Sequence, residues 1–442
     1  MNTSVIDNPF FVFVSNYLNH HQIPFCNAMY KLCGGSFAFV QTEPVEEERI
    51  RMGWDDKVRQ PYLKLYYREA EECAALIAGA GIVMFGGCDD ESYIVKRLEE
   101  GKPVIRCSER LYKTGQWRAV SPRGLRKKYH DHTRYRKAPV YLLCAGAYVP
   151  SDFSIVRAYP KKMYCWGYFP ETKRYDLDRL MAEKGWREEY RRGIGEAAGR
   201  KDTEEAGRVE TGGRKGRIPY ILWAARMIDW KHPELALEAA RYLKSRGLSF
   251  HMDMIGGGEL EERVRALRTE YGLEEEVGLP GFMPPARVRE TMERADIFLF
   301  TSDRQEGWGA VANEAMNSGC ALIAGHMIGA VPYLIEDGEN GLVYRDGDRE
   351  ELFGLAEKLV KSRELCDRLG RNAYRQITEV WNAENAAGAL WELCGRLGLI
   401  KERKPGKTAA GAEIAGGFIP CAPAPVIPER KMYALLKKEK KR

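Results

Sequence analysis

Short apolar runs alternate with longer amphipathic stretches along most of this chain, and that alternation is the signature of parallel βα units. In the first half it predicts strands at Pro9–Ser15, Ser36–Gln41, Gly81–Gly86, Pro103–Cys107, Val140–Ala145 and Lys162–Trp166, with a helix over Pro61–Ala78. From Arg187 to Arg217 the sequence is charged, rich in glycine and without hydrophobic period, which predicts a flexible linker at 187–217. A second series then runs from Tyr220–Ala225 through Ile297–Phe300 and Gly341–Tyr344 to helices between Glu350 and Leu399. The expectation is an α/β chain of two doubly wound parallel-sheet domains, 1–186 and 218–400, facing across a cleft. Ligands of such sheets bind beyond the carboxyl ends of the strands. Past Lys404 the composition turns to Pro, Ala and Gly and then to lysine, so 401–442 is expected to be a basic tail.

Composition excludes several classes. Of the 442 residues 44% are hydrophobic and 30% charged, which rules out disordered and collagenous chains. The net charge of +6 is unevenly placed: residues 110–137 hold ten Lys/Arg against one acid, and 401–442 hold eleven against four. The remainder is therefore net acidic, which argues against a nucleic-acid partner. Eleven scattered cysteines with no C-x-x-C fit thiols in a reducing cytosol and argue against a disulfide framework or a structural zinc site. No basic region precedes the apolar run Phe10–Val14, and no stretch reaches the ~18 apolar residues of a membrane span. The expected location is cytoplasmic, with any membrane met from its inner surface.

The densest information lies in TSDRQEGWGAVANEAMNSGCALIAG, residues 301–325. A buried strand ends near Ser302, a glycine-rich turn follows, and a helix is expected from about Gly309. Glu306 lies in the turn and Glu314 in the helix, so their carboxylates are separated along the axis by roughly 8 Å or more. That gap matches a nucleotide diphosphate sugar. Gly307 and Gly309 let the backbone approach a ligand, with Trp308 between them, and the N–H groups of Gly309, Ala310 and Val311 at the helix start favour an anion such as phosphate.

This E-x7-E segment resembles the donor-site motif of the family 4 retaining glycosyltransferases of the GT-B fold. The resemblance runs over about 218–385: ILWAARMIDWKHPELALEAARYL is similar to the segment supplying an Arg and a Lys to the donor diphosphate, here Arg226 and Lys231. IGGGELEERVRAL, with Gly257, resembles the element beside the nucleotide; the stretch around Gly281–Met283 resembles the one whose backbone receives the base; GAVPYLIEDGENGLVY completes the order. The resemblance implies a nucleotide-sugar donor, Glu314 on the ribose hydroxyls, Glu306 on the sugar, and Arg226 and Lys231 stabilising the departing diphosphate. It also implies no metal or other cofactor, and the sequence offers no D-x-D in a suitable context.

The first half departs from that pattern. Its first strand leads into SNYLNHHQIPF rather than a glycine-rich loop, and a later strand leads to Ser108 and Glu109 where relatives often carry a histidine. His20, His21 and Glu109 are the candidates for binding the acceptor hydroxyl or accepting its proton, with His21 the catalytic choice. The basic segment RLYKTGQWRAVSPRGLRKKYHDHTRYRK interleaves Tyr112, Trp117, Tyr129 and Tyr135 with its charges. It reads either as a solvated loop or as a surface for anionic lipid headgroups or a lipid-linked acceptor, at ~1 kcal/mol per cation near such a surface. The C-terminal tail could add to that attraction. Two rival classes are a noncatalytic nucleotide-sugar-binding scaffold, which would be expected to lose Glu306, Glu314 or the Arg/Lys pair, and a dinucleotide-dependent oxidoreductase, against which no G-x-G-x-x-G follows a strand.

Overall fold

The structure, a computed structural model, describes residues 10–47, 59–187, 217–400 and 418–437. The chain divides into two compact units, Met1–Thr172 with Val380–Lys431, and Lys173–Glu379 with Met432–Arg442. All but the two end residues of the linker expected at 187–217 lie outside the described residues, as do 401–417 and 438–442 of the expected tail.

The first unit is built on seven parallel strands: β1 (Phe11–Ser15), β2 (Phe37–Gln41), β3 (Leu63–Leu65), β4 (Ile82–Gly86), β5 (Val104–Ser108), β6 (Val140–Ala145) and β7 (Met163–Trp166). Their order is β3-β2-β1-β4-β5-β6-β7. β1 reads FVFVS and is buried throughout, because both faces of a parallel sheet are covered. Val12 and Val14 share a core with Ile77, Leu98 and Phe153 from the helices Ala70–Gly79, Ser92–Glu99 and Val149–Ile155. On the opposite face Phe13 meets Phe39 edge-on at 5.0 Å. There the helix Ile23–Leu32 packs against Ala383–Arg396, and Phe25 packs on Trp166 at 5.2 Å.

Three expectations need correction here. The helix expected over Pro61–Ala78 starts only at Ala70; Leu63–Leu65 alternates apolar and polar residues and instead extends the sheet beside β2. The helix Ala383–Arg396, assigned to the second domain by its position in the chain, belongs to the first unit, where its apolar residues cover the helix Ile23–Leu32. Residues 418–437 are not a free tail. Cys165 donates its N–H to the Ala422 carbonyl and accepts from the Cys421 N–H, both at 2.8 Å, and Ala424 donates to Met163 at 2.9 Å, so this segment satisfies the edge of β7. A helix, Glu429–Leu436, follows. Glu429 pairs with Arg110, whose guanidinium is buried and also faces Asp152 at 3.6 Å.

The second unit repeats the plan with β8 (Tyr220–Ala224), β9 (His251–Ile255), β10 (Val277–Gly281), β11 (Ile297–Phe300), β12 (Ala321–Gly325) and β13 (Leu342–Tyr344), all parallel, in the order β10-β9-β8-β11-β12-β13. Ala236, Leu237, Ala240 and Leu243 recur at helical spacing on Pro233–Ser245 and pack with Ile221, Trp223 and Leu299 of the sheet. Tyr433 donates its hydroxyl to Glu351 at 2.6 Å, and Lys437 pairs with Asp337 and Glu351. Among the described residues no helix is long and apolar enough to cross a membrane.

Asp296 registers β8 against β11. Its carboxylate accepts the Tyr220 N–H at 2.8 Å, and its own N–H donates to the Tyr220 carbonyl at 2.9 Å. Burial pushes its pKa up to about 6, against the partial relief of the Tyr220 hydrogen bond and the Lys184 charge. Because the folded value exceeds the unfolded one of about 3.9, the ionised native form is penalised: the favourable contribution is full below the unfolded pKa and is lost as pH rises through about 6. Asp296→Asn keeps an acceptor for Tyr220 without the charge. It is expected to raise stability at pH 8 by about 1–2 kcal/mol relative to its effect at pH 4, measured by urea unfolding. An equal effect at both pH values contradicts the assignment.

Candidate functional site

Within the second unit the strand order reverses between β8 and β11. Helices after these neighbours run to opposite sides, and the crevice left at their carboxyl ends is where such sheets bind ligands. Arg226 and Lys231 follow β8, Gly257 follows β9, Met283 follows β10, and residues 306–311 follow β11. The sequence-selected donor residues thus gather at one end of one sheet.

Past β8 the chain makes a tight turn, Asp229–Lys231, and Pro233 opens the next helix, where its missing N–H costs nothing. The Lys231 ammonium forms an ion pair with the Glu306 carboxylate, both side chains being about six-sevenths buried at 15% and 14% exposure. The two loops are also joined through the backbone. Thr301 donates its hydroxyl to the Lys231 carbonyl at 2.6 Å while accepting from the Trp223 indole at 2.8 Å, and Asp303 donates its N–H to the Trp230 carbonyl at 3.0 Å. The exposed Arg226 guanidinium lies 5.7 Å from the Trp230 ring centroid, a cation–π contact that holds a charge at the site without neutralising it.

Gly309 sits at φ +91°, and a Cβ there would come within 2.5 Å of the Phe300 ring, so this turn requires glycine. The helix begins at Val311, slightly later than expected, and runs to Asn317. Ala312 donates to Gly309 and Glu314 to Ala310, at 3.0 and 3.3 Å, placing Gly309, Ala310 and Val311 ahead of the first intrahelical donors. Burial raises the Glu314 pKa, opposed by the charges of Arg289 and Lys173. Arg289 bonds Asn317, whose side-chain amide also accepts from the Lys173 N–H at 2.8 Å and donates to its carbonyl at 3.0 Å. Two cations are thus fixed within electrostatic reach of Glu314.

The Trp308 side chain is fully buried and donates to Asn313 at 2.8 Å, and Met283 is buried beside an exposed Phe282. Of the three glycines after β9, Gly257 accepts the Met227 N–H at 2.9 Å, while Gly256 and Gly258 are held against backbone, at φ +139° and +149°.

In the first unit the corresponding reversal lies between β1 and β4, and His20 and His21 follow β1. Their rings are 3.8 Å apart, and burial lowers the His20 pKa, favouring the neutral imidazole that a proton acceptor requires. Glu109 follows β5, pairs with Lys113 at 2.7 Å and accepts the Tyr168 hydroxyl at 2.7 Å. Tyr168 stacks at 6.5 Å on His21, so it connects Glu109 to His21.

The basic segment separates into two parts. Arg110 and Tyr112 are buried, the former in its ion pair, because they support the fold. Farther on, the helix Pro122–Asp131 has no buried residue, and Trp117, Leu125 and Tyr129 are 70%, 43% and 61% exposed. Leu125 and Tyr129 are four apart and share a face, flanked by Arg123, Arg126, Lys127 and Lys128.

His232, Asp303, Arg289 and Tyr168 escaped the sequence reading. His232 was legible only as the residue before a helix-opening proline; the other three act through partners distant in sequence. Gly256→Ala would place a Cβ 1.9 Å from the Ala225 carbonyl oxygen, and it is expected to cost about 3 kcal/mol or more. Gly257→Ala meets only the end of the flexible Glu261 side chain, at 3.0 Å, and should cost under about 1 kcal/mol. Denaturant unfolding of both variants checks the contrast, and equal costs contradict it.

The family described as "Glycosyl transferases group 1" matches residues 210–376. The colanic acid biosynthesis glycosyltransferase WcaL of Salmonella typhimurium, itself described as putative, is 33% identical over 143 residues, 31% of this chain and 35% of that protein. The amylovoran biosynthesis glycosyltransferase AmsK of Erwinia amylovora is 33% identical over 144 residues, with coverage of 31% and 35%. The chain thus aligns with about a third of the length of these relatives. Among solved structures, Anabaena HepE in complex with UDP and glucose superposes with a TM-score of 0.58 at 12% identity, covering 87% of this chain and 99% of that one. Sucrose-phosphate synthase from Thermosynechococcus elongatus gives 0.57 at 13% identity, covering 88% and 98%. The fold is therefore the two-domain, Rossmann-like GT-B architecture, and its second unit carries the sequence pattern of group 1 glycosyl transferases.

Proposed function

We propose that this chain is a family 4 glycosyltransferase that moves a sugar, with retention, from a nucleotide sugar to an acceptor hydroxyl during polysaccharide or glycoconjugate assembly. The observation that carries the reading is the pairing of Lys231 with Glu306 at the β8/β11 reversal, inside the segment that matches group 1 glycosyl transferases. The polysaccharide context rests on the names of WcaL and AmsK, and the nucleotide donor on the UDP held by HepE.

In this reading the donor diphosphate lies against Arg226 and Lys231, with its ribose on Glu314 and its sugar on Glu306. As the bond from the anomeric carbon to the diphosphate oxygen breaks, negative charge grows on that oxygen and the two cations stabilise it. The acceptor oxygen bonds to the same face of the anomeric carbon, and its proton passes to the departing phosphate. His20, His21 and Glu109 hold the acceptor. Because Arg226 and Lys231 supply the positive charge, turnover needs no divalent metal. A thermal-shift panel of UDP-, GDP-, ADP- and dTDP-sugars selects the donor, and product analysis follows with the one that binds best. Lys231→Ala and Glu314→Ala are each expected to lower transfer by at least about 100-fold, a loss typical of removing one charge-stabilising donor, in a protein that remains folded; EDTA should leave the wild-type rate unchanged. Full turnover by either variant contradicts the donor site, and inhibition by EDTA contradicts metal independence.

The same reading places the enzyme in the cytoplasm, at the inner face of the membrane, where lipid-linked acceptors are extended. The support is the unburied helix Pro122–Asp131, whose Leu125 and Tyr129, with Trp117 before it, are set among cations as an interfacial helix requires. Anionic-lipid vesicles should sediment the protein at low salt, and replacing Arg123, Arg126, Lys127 and Lys128 with alanine should release it. Undiminished co-sedimentation of that variant contradicts the docking face.

A further inference from the structure

His232 occupies a conformation that an L-residue avoids. It caps the helix Pro233–Ser245 in the left-handed region, at φ 47° and ψ 58°, where glycine rests without strain and another side chain costs about 1–2 kcal/mol. Its imidazole has both nitrogens engaged. Nδ1 is 3.3 Å from a Glu234 carboxylate oxygen, and Nε2 is 3.3 Å from a carboxylate oxygen of Asp303 in the loop after β11. Asp303 organises that loop in turn: its carboxylate accepts the Gln305 N–H at 2.8 Å, and its carbonyl accepts the Glu306 N–H at 3.1 Å.

We propose that His232 is a positioning residue, an imidazolium clamp that fixes the loop carrying Glu306 against the turn carrying Lys231. Both ring nitrogens can donate only when the ring is protonated, and two carboxylates favour that form. The hydrogen bonds to Asp303 and then Glu234 raise the His232 pKa to about 10, outweighing burial. Burial alone would push Asp303 up, but the bonds from His232 and Gln305 hold it below its ordinary value. Asp346 adds a further negative charge near the ring, while its own backbone N–H is bound by His326. The clamp remains closed at neutral pH, and the strain of the left-handed backbone is offset by two charge-assisted hydrogen bonds.

The catalytic consequence rests on the donor-site reading above, but the clamp has a readout that does not. His232→Gly removes the imidazole and relieves the backbone strain, which partly offsets the two lost hydrogen bonds, so a folded protein is expected. Hydrogen exchange on the full chain should then show the Asp303 amide, bonded to the Trp230 carbonyl, exchanging at least about tenfold faster than in the wild type, with the β11 amides unchanged. With the donor chosen by the nucleotide-sugar panel, kcat/KM should fall about tenfold, the loss expected from about 1.4 kcal/mol of misplaced charge, and added imidazole should restore part of it. Wild-type protection at Asp303 in the His232→Gly protein overturns the clamp. If the wild type transfers no sugar, the donor reading fails while the exchange result still decides the clamp. If exchange quickens and kcat/KM stays at the wild-type value, the clamp orders the loop but does not position the catalytic pair, and the proposal is overturned.

Discussion

The reversal of strand order between β8 and β11 is the constraint on which the second unit's chemistry depends. Two parallel neighbours whose following helices leave on opposite faces cannot close over their own carboxyl ends. The loops after them are left to meet only each other, and here they meet through charge: a lysine from one faces a glutamate from the other. Bringing both groups out of water costs several kcal/mol per ion, and only their mutual attraction and the fixed backbone bonds between the loops offset it. In the proposed function this pair changes partners: a diphosphate entering beside Lys231 would present a second anion and release Glu306 to hydroxyl groups.

The surrounding hydrogen bonds explain why the loops are held before any ligand arrives. Thr301, seated on the Trp223 indole, fixes the backbone at Lys231; Asp303 fixes the backbone at Trp230; His232 closes the arrangement from the side. Preorganisation of this kind removes the cost of ordering charged side chains at the moment charge develops. Glu314 is handled differently. It is set on a short helix, raised in pKa by burial and flanked by Arg289 and Lys173, and these two charges favour its ionised form.

The sheets were legible in the sequence because their strands are buried on both faces and so read as continuous apolar runs, as in FVFVS and YILWA. The candidate donor residues could be singled out because they sit close together in sequence after single strands. What escaped depends on partners far along the chain. β3 spans three residues, too few for any period to declare itself, and it exists because β2 offers an open edge. The Pro- and Ala-rich stretch after residue 417 has the composition of a linker, yet β7 presents unpaired backbone groups that Cys421–Ala424 satisfies. Arg110 looked like part of a basic surface, and only its burial against Asp152 and Glu429 separates it from the exposed cations farther on. His232 and Asp303 are 71 residues apart, and no local pattern pairs them.

The central claim is that Lys231 gives up Glu306 for a nucleotide-sugar diphosphate at the carboxyl ends of β8 and β11. A crystal structure with the nucleoside diphosphate sugar that best stabilises the protein tests this directly. The account predicts diphosphate oxygens within hydrogen-bonding distance of both Arg226 and Lys231, the ribose on Glu314, and the Lys231–Glu306 pair opened. A nucleotide bound elsewhere, or bound with that ion pair intact, would contradict it.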